Sequence, residues 1–209
     1  MAQKSDAADK NVRRPRGRPR SFDTGETLAR ATLAFWHQGY AATSLDDLSA
    51  ATGLNRPSLY GAFGDKHALY LQALRLYTEQ SDRAIAAALE GRSLREGLLR
   101  VYELALQLYY PADEAARGCL LIGTAATEAP RDEAIRQQLG DSLRGFNSAF
   151  EARLRRAVDE GELPAGTDAA LRAQLASAVL HSMALRARAG DARTDVAAFA
   201  AASLGFVCG

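Results

Sequence analysis

Apolar residues recur every three to four positions along most of the chain, and short polar or glycine-containing segments separate the runs. This period places apolar side chains on one face of an α-helix, whereas a half-buried strand alternates at every second residue. The longest stripe falls in a helix that Pro130 opens and Gly161 ends. Its apolar residues are Ile135, Leu139, Leu143, Phe146, Phe150, Leu154 and Val158. The pattern predicts an all-α fold.

Helix boundaries are marked by acidic or hydroxyl residues at the starts and by glycine or proline at the ends. Three pairs have the spacing of a capping box, namely Asp23 with Glu26, Ser44 with Asp47 and Ser93 with Glu96. Together these signals predict about nine helices, over residues 23–39, 44–53, 55–64, 65–89, 93–110, 119–126, 130–161, 168–189 and 194–207.

The last predicted helix contains the run VAAFAAASLGFVCG, which is apolar on all sides apart from Ser203. A helix without a polar face needs cover on every side. We therefore expect its own domain to cover one side and a second copy of the chain to cover the other.

The composition is that of a globular protein, with 209 residues of which 47% are apolar and 24% are charged. No apolar run reaches the roughly 18 residues of a membrane span. The first 20 residues hold seven Lys and Arg and lack the apolar block of a secretory signal. We therefore expect a cytoplasmic protein with no membrane partner. Two cysteines and three histidines do not favour a disulfide framework or a metal site, and no cofactor is expected.

Charge is distributed unevenly, although the net charge is only +1. Residues 1–80 hold 11 Lys and Arg against 8 Asp and Glu, whereas residues 81–209 hold 15 against 17. Residues 10–20 carry six positive charges and no negative one. Such a cluster is typical of a segment that meets nucleic-acid phosphate, and we interpret residues 1–21 as a flexible basic arm.

Residues 44–64 combine two short helices with a tight turn at Gly53, which is the layout of a helix-turn-helix. Leu48, Leu54 and Leu59 are placed to lock the two helices together. The N-terminal end of the second helix is then free to enter a major groove of DNA.

The stretch SLDDLSAATGLNRPSLYGAFGDKHALY, with LARATLAFWHQGY before it, resembles the N-terminal DNA-binding domain of the TetR family of bacterial transcriptional regulators. The resemblance implies a helix-turn-helix domain over residues 22–70. It also implies that residues 71–209 form a helical domain that binds an effector and dimerises through its last two helices.

On this resemblance, two groups of residues contact double-stranded DNA. Those that hold phosphates are Ser44, Tyr60 and Lys66, and those that face the bases are Arg56, Pro57 and Ser58, just after the cap Asn55. A hydroxyl, a lysine and a helix N-terminus can bind phosphate, and an arginine can form two hydrogen bonds with guanine. Two alternatives stay open: Ser44 and Asn55 act only as helix caps, and Tyr60 is a core aromatic residue with its hydroxyl pointing outward.

The basic arm contains Pro-Arg-Gly-Arg-Pro at residues 15–19, which resembles the core of an AT-hook. In such a motif Arg16 and Arg18 would lie in a narrow, A·T-rich minor groove. The alternative is an unstructured basic tail that makes only non-specific phosphate contacts.

The C-terminal part offers bulky, soft or polar residues on otherwise apolar helix faces, and these are candidates to line an effector pocket. They are Tyr102, Leu106, Tyr109, Cys119, Phe146, Phe150 and His181. The alternative for each is ordinary core packing. This part shows no catalytic sequence motif of the hydrolase, nucleotide-binding or metalloprotease type, so no catalytic residue is predicted.

These observations predict a homodimeric repressor that a small-molecule effector releases from a palindromic operator. A first alternative is a thiol-based redox or electrophile sensor acting through Cys119. A second is a helical small-molecule carrier or enzyme with a vestigial DNA-binding domain. A third is an architectural A·T-binding protein that uses only its arm.

Overall fold

The computed structural model describes residues 22–209, and within this range the chain forms nine helices and no strand. The helices are α1 (Thr24–Gln38), α2 (Leu45–Thr52), α3 (Arg56–Phe63), α4 (Lys66–Leu89), α5 (Leu94–Tyr109), α6 (a π-helical turn, Leu121–Ala125, that continues into Ala126–Glu128), α7 (Glu133–Asp159), α8 (Ala169–Ala189) and α9 (Arg193–Cys208). The predicted all-α fold is confirmed. The basic arm, with Arg16 and Arg18, lies outside the described residues.

The predicted caps explain most of the helix starts. The capping boxes at Ser44 and Ser93 are complete, because each side chain accepts the backbone N–H three residues on and each partner carboxylate accepts in return. Asp23 caps α1, but the side chain of Glu26 pairs with Arg30 and does not complete the predicted capping box. One predicted start is wrong: α7 begins at Glu133, where Asp132 accepts the N–H of Ile135, and Pro130 lies in the turn before it.

Helices α1 to α3 and the first turns of α4 form a small unit around a shared core. Phe35 of α1, Leu48 of α2 and Leu59 of α3 are buried in it. The turn between α2 and α3 passes through Gly53, whose φ of 72° lies in the left-handed region that glycine adopts without strain. This turn sets the angle at which α3 leaves α2 and therefore the surface that α3 presents.

The remaining helices pack into a larger unit in which α7 and α8 lie side by side and α9 packs against both α5 and α8. Helix α4 runs without interruption through residues 70 and 71, where the domain boundary was predicted, and packs against α1, α5 and α7. It therefore joins the two units as one continuous helix. None of the helices within residues 22–209 is long and apolar enough to cross a membrane.

Candidate DNA-binding surface and regulatory cavity

The N-terminal end of α3 is open to solvent on the side away from the core. Asn55 caps the helix by accepting the backbone N–H of Ser58 at 3.0 Å. Arg56 and Pro57 are exposed and Ser58 is half-buried. The predicted base-facing residues thus occupy one accessible surface at a helix N-terminus, which suits insertion into a major groove.

Tyr60 also lies on the exposed side of α3, with 46% of its surface accessible. Leu59 and Phe63 take the inward positions instead. The structure therefore does not place Tyr60 in the core, and its hydroxyl is available to a phosphate of bound DNA.

Arg56 is held by a residue that the sequence pattern did not indicate. Its Nε and Nη2 both donate to Oδ1 of Asp46, at 3.1 and 2.7 Å. Asp46 lies in the first turn of α2, ten residues earlier, and both side chains are exposed. The helix-turn-helix geometry brings the pair together, and no spacing rule for a single helix would have found it.

Ser44 is engaged in its own helix cap. Its hydroxyl donates to Oδ2 of Asp47 at 2.6 Å, and the same oxygen accepts the Ser44 N–H at 2.8 Å. These hydrogen bonds hold the pKa of Asp47 below its ordinary value. Two carboxylates, Asp46 and Asp47, thus occupy the first turn of α2. A phosphate contact by Ser44 would have to replace the Asp47 bond, and it stays a prediction.

Lys66 begins α4 and is half-buried against the unit formed by α1 to α3. Its Nζ lies 4.6 Å from the centroid of the Tyr40 ring and 3.5 Å from the Ala41 carbonyl oxygen. The ring face attracts the ammonium group and limits its range of positions. Lys66 is therefore a positioned charge, as a phosphate contact requires.

The folded helix-turn-helix unit is not basic. Residues 22–70 contain three Lys and Arg against five Asp and Glu, whereas residues 1–21 contain seven against two. Attraction to the DNA backbone depends on positive charge near the contact surface. The positive charge that this chain offers beside its helix-turn-helix is concentrated in residues 1–21.

A cavity of about 450 Å³ lies between α1, α4, α5, α6, α7 and α8. Four predicted pocket residues line it, namely Tyr109, Cys119, Phe146 and His181. The lining also contains residues that the sequence pattern did not indicate, among them Trp36, Tyr77, Gln80 and Arg117. Most of the wall is apolar, and the volume falls in the range of pockets for small organic molecules.

Three predicted pocket residues lie elsewhere. Tyr102 is fully buried, and its hydroxyl donates to the carbonyl of Ala176 in α8 at 3.3 Å. Leu106 and Phe150 are also buried in the packing between helices and do not reach the cavity. The reason is helical rotation: on α5, Val101, Ala105 and Tyr109 share the face toward the cavity, whereas Tyr102 and Leu106 lie on the neighbouring face.

Cys119 lies in the cavity wall beside two tyrosines. The hydroxyl of Tyr77 donates to its Sγ at 3.2 Å, and Tyr109 also bonds to the sulfur. Burial raises the pKa of the Cys119 thiol, although these bonds and the N–H of Ile122 act in the opposite direction. Burial likewise lowers the pKa of His181, so its ring is neutral at pH 7.

The same wall contains a residue of the smaller unit. Trp36 of α1 donates its indole N–H to the carbonyl of Gly118 at 3.0 Å. Its ring meets the edge of Tyr77 with the centroids 4.9 Å apart, and the Arg117 guanidinium lies 4.2 Å from its centroid. A molecule in the cavity would therefore contact α1 and the residues that hold α1 in place.

Helices α8 and α9 carry large apolar side chains that are exposed to solvent and do not belong to the core. Phe206 of α9 is 80% exposed, and Leu171, Leu175 and Leu185 of α8 are 53%, 44% and 56% exposed. Leu175, Val179, Phe199 and Phe206 line a groove between the two helices. The predicted absence of a polar face on the last helix thus corresponds to a surface that the chain itself leaves uncovered.

Two family models match the chain. Residues 28–73 match the model for bacterial regulatory proteins of the tetR family, and residues 96–203 match the tetracyclin repressor-like C-terminal domain. The HTH-type transcriptional repressor ComR of Escherichia coli (strain K12) is 30% identical over 181 residues, 86% of each chain. The HTH-type transcriptional regulator YezE of Bacillus subtilis (strain 168) is 33% identical over 148 residues, 70% of this chain and 76% of its own.

A solved structure extends the likeness to both units. A cysteine mutant of the TetR family transcriptional regulator CifR, complexed with a 26-bp double-strand operator DNA, superposes with a TM-score of 0.83. It is 34% identical in sequence, and the match covers 90% of this chain and 98% of the other. The chain therefore belongs to the TetR family of DNA-binding transcriptional regulators, which are not enzymes.

Proposed function

We propose that the protein is a homodimeric repressor that a small molecule releases from a palindromic operator. The observation that carries this proposal is the shared wall of the cavity, in which Trp36 of the DNA-binding unit faces the same space as His181 and Phe146 of the larger unit. An occupant of that space can bias the position of α1 directly. ComR, a repressor, and CifR, crystallised with operator DNA, support the same assignment.

In the DNA-bound state, α3 enters the major groove with its N-terminal end first. Arg56, Pro57 and Ser58 face the base edges, and Tyr60 and Lys66 hold phosphates on either side. A dimer with twofold symmetry places two such helices about one DNA turn, roughly 34 to 36 Å, apart. The operator is then a pseudo-palindrome.

The dimer forms through the exposed apolar face of α8 and α9. Phe206, Leu171, Leu175 and Leu185 would be covered by the same residues of the second copy, because a twofold interface pairs a patch with itself. An apolar surface of this kind on a single copy marks an interaction site.

The effector acts by preferring one of two arrangements of the units. A ligand shifts such an equilibrium only by the difference between its affinities for the two states. Trp36 of α1 lines the cavity and donates to the Gly118 carbonyl, so an occupant that displaces this contact favours an arrangement in which the two α3 helices no longer match their half-sites. The apolar walls and neutral His181 suit an uncharged, largely apolar molecule.

Substitution of Phe206 by Glu tests the dimer and its role in DNA binding together. Because the side chain is exposed, Phe206→Glu leaves the fold intact, but it places two carboxylates across the interface. Sedimentation equilibrium is expected to show a dimer for the unchanged chain and a monomer for the variant at micromolar concentration, with a loss of operator affinity. The matched control is Leu33→Glu on α1, where the leucine is 40% exposed. A dimeric Phe206→Glu protein would contradict the proposed interface.

A further inference from the structure

Arg56 is the only cation in the first turn of α3, and in the free protein its guanidinium is hydrogen-bonded to another side chain. Both its Nε and its Nη2 donate to a single oxygen of Asp46 across the helix-turn-helix. We propose that Asp46 is a specificity-determining residue that orients Arg56 to select guanine at one operator position. This inference rests on the proposed function, in which α3 reads bases.

The hydrogen bonds leave the reading edge of Arg56 free. A guanidinium carries five N–H donors in a plane, and Asp46 uses only the side formed by Nε and Nη2. The end formed by Nη1 and the second hydrogen of Nη2 can still donate two parallel bonds, which match O6 and N7 of guanine. Asp46 therefore fixes the guanidinium plane without consuming the donors that guanine needs.

The charge of Asp46 also opposes non-specific binding. An unpaired arginine on this surface would bind any phosphate in reach, and a phosphate contact carries no sequence information. Asp46 neutralises one of the three Lys and Arg in residues 22–70 and repels the phosphate backbone. Guanine pairing preserves the bond to Asp46, whereas capture by a phosphate has to compete with it.

A purely structural role explains the pair less well. Both side chains are more than half exposed, with 54% of Arg56 and 77% of Asp46 accessible, and exposed ion pairs contribute little to stability. Helices α2 and α3 are already joined by the buried side chains of Leu48, Leu59 and Phe63. The pair lies at the surface that meets DNA, where its effect on binding exceeds its effect on folding.

Selection of binding sites from a randomised duplex library tests the proposal. The unchanged chain is compared with Arg56→Ala, Asp46→Ala and Asp46→Asn. Glu79→Gln is the control, because it breaks an exposed ion pair with Arg83 on α4. Arg56→Ala should lose a guanine preference at one position of each half-site. Asp46→Ala should weaken the same preference at least about fivefold and bind random duplexes about two- to fivefold more tightly.

The remaining variants separate the two contributions of Asp46. Asp46→Asn removes the charge but keeps an oxygen acceptor, so it should bind random duplexes more tightly while retaining more of the guanine preference than Asp46→Ala. Glu79→Gln should select the same sites as the unchanged chain. Thermal unfolding midpoints should stay close together across the set.

The outcomes distinguish this inference from the proposed function. If the unchanged chain enriches no sequence, the proposed function fails and this inference fails with it. If the unchanged chain enriches a palindrome and Asp46→Ala enriches the same palindrome with equal guanine preference, only the role of Asp46 is overturned. That role is likewise overturned if Asp46→Ala weakens the preference at all positions equally.

Discussion

The cationic side chains predicted to contact DNA are positioned by neighbouring residues. Arg56 and Lys66 are both cations near the predicted DNA contact, yet one is bound to a carboxylate and the other lies over an aromatic ring. Arg56 is thereby oriented in a plane, as base recognition requires. Lys66 is placed as a point charge, as phosphate contact requires.

The Lys66 charge should contribute equally to all DNA sequences. Lys66→Ala is expected to weaken operator and random DNA by the same factor and to lower the slope of log affinity against log salt by about 0.9. Fluorescence anisotropy titrations at several salt concentrations measure both quantities. The control is Arg83→Ala, which removes an exposed cation about 25 Å further along α4. A loss confined to the operator would assign Lys66 to base recognition instead.

The raised pKa of the Cys119 thiol predicts that it reacts slowly with alkylating agents. Only the thiolate reacts with alkylating agents, so a raised pKa lowers the reactive fraction at neutral pH and moves the rise in rate to higher pH. Cys208→Ser leaves Cys119 as the sole cysteine. Its rate with iodoacetamide at pH 7.5 is expected to be below that of glutathione and to increase at more alkaline pH than glutathione does.

The low reactivity expected of Cys119 also distinguishes a packing role from a sensing role for this residue. Peroxide or a quinone should leave the complex with operator DNA intact, and Cys119→Ser should bind the operator as the unchanged chain does. The thiol-sensor alternative would be established instead if these reagents dissociated the unchanged complex and spared Cys119→Ser.

Sequence periodicity identified pocket residues only in part. It predicted Tyr109, Cys119, Phe146 and His181, and these four residues line the cavity. Spacing within one helix does not state which neighbour an apolar face meets. Trp36 was therefore not among the predicted pocket residues, although it lines the cavity.

At the scale of helices, the capping residues and the glycines and prolines at helix ends predicted the boundaries well, because these signals act locally. The most displaced start, that of α7, shows how two local signals compete: proline is favoured in a first helical turn, but Asp132 supplies the side-chain cap that Pro130 lacks. The π-helical turn at the start of α6 had no counterpart in the sequence pattern. It begins two residues after Cys119, and its residues Leu121 and Ile122 line the cavity.

The segment before α6 approaches α8 so closely that only glycine fits. A Cβ on Gly118 would lie 2.4 Å from the Ala184 carbonyl oxygen, and the φ of Gly118 is also positive. Gly53 has a positive φ without any atom within 4 Å of such a Cβ. Gly53→Ala should therefore lower the free energy of unfolding by about 1 to 2 kcal/mol, and Gly118→Ala should lower it by about 1 to 3 kcal/mol more.

Urea denaturation followed by circular dichroism measures this difference. The unchanged chain and both variants are compared at one protein concentration, because a dimer's stability depends on concentration. Equal losses for the two variants would show that the segment before α6 moves away from α8 freely, and the proposed coupling through Trp36 and Gly118 would lose its rigid support.

In the whole molecule, the residues predicted to recognise bases and the residues that carry most of the excess positive charge lie in different parts of the sequence. The described helix-turn-helix unit holds more acids than bases, and residues 1–21 hold the excess of bases. The sequence analysis located the basic cluster at residues 10–20. The resemblance implied a dimer through the last two helices, and the structure adds the residues: Leu175 of α8 and Phe206 of α9 are exposed and line one groove.

Removal of residues 1–20 should weaken binding without changing the half-site. The deletion takes away seven Lys and Arg, so the salt slope should fall by about 0.9 for each phosphate that these residues neutralise. The loss should be greatest at low salt and for operators with A·T-rich flanks. If the loss is the same for A·T-rich and G·C-rich flanks, the AT-hook interpretation fails and the basic-tail interpretation stands.

The most direct test of the proposed repressor is hydroxyl-radical footprinting on the selected operator, with the stoichiometry of the complex measured by sedimentation. We predict two protected segments related by a twofold axis, with centres roughly 34 to 36 Å or a multiple of this distance apart, and two protomers for each such pair of half-sites. Protection of one asymmetric half-site by a single protomer at physiological salt would contradict the proposal.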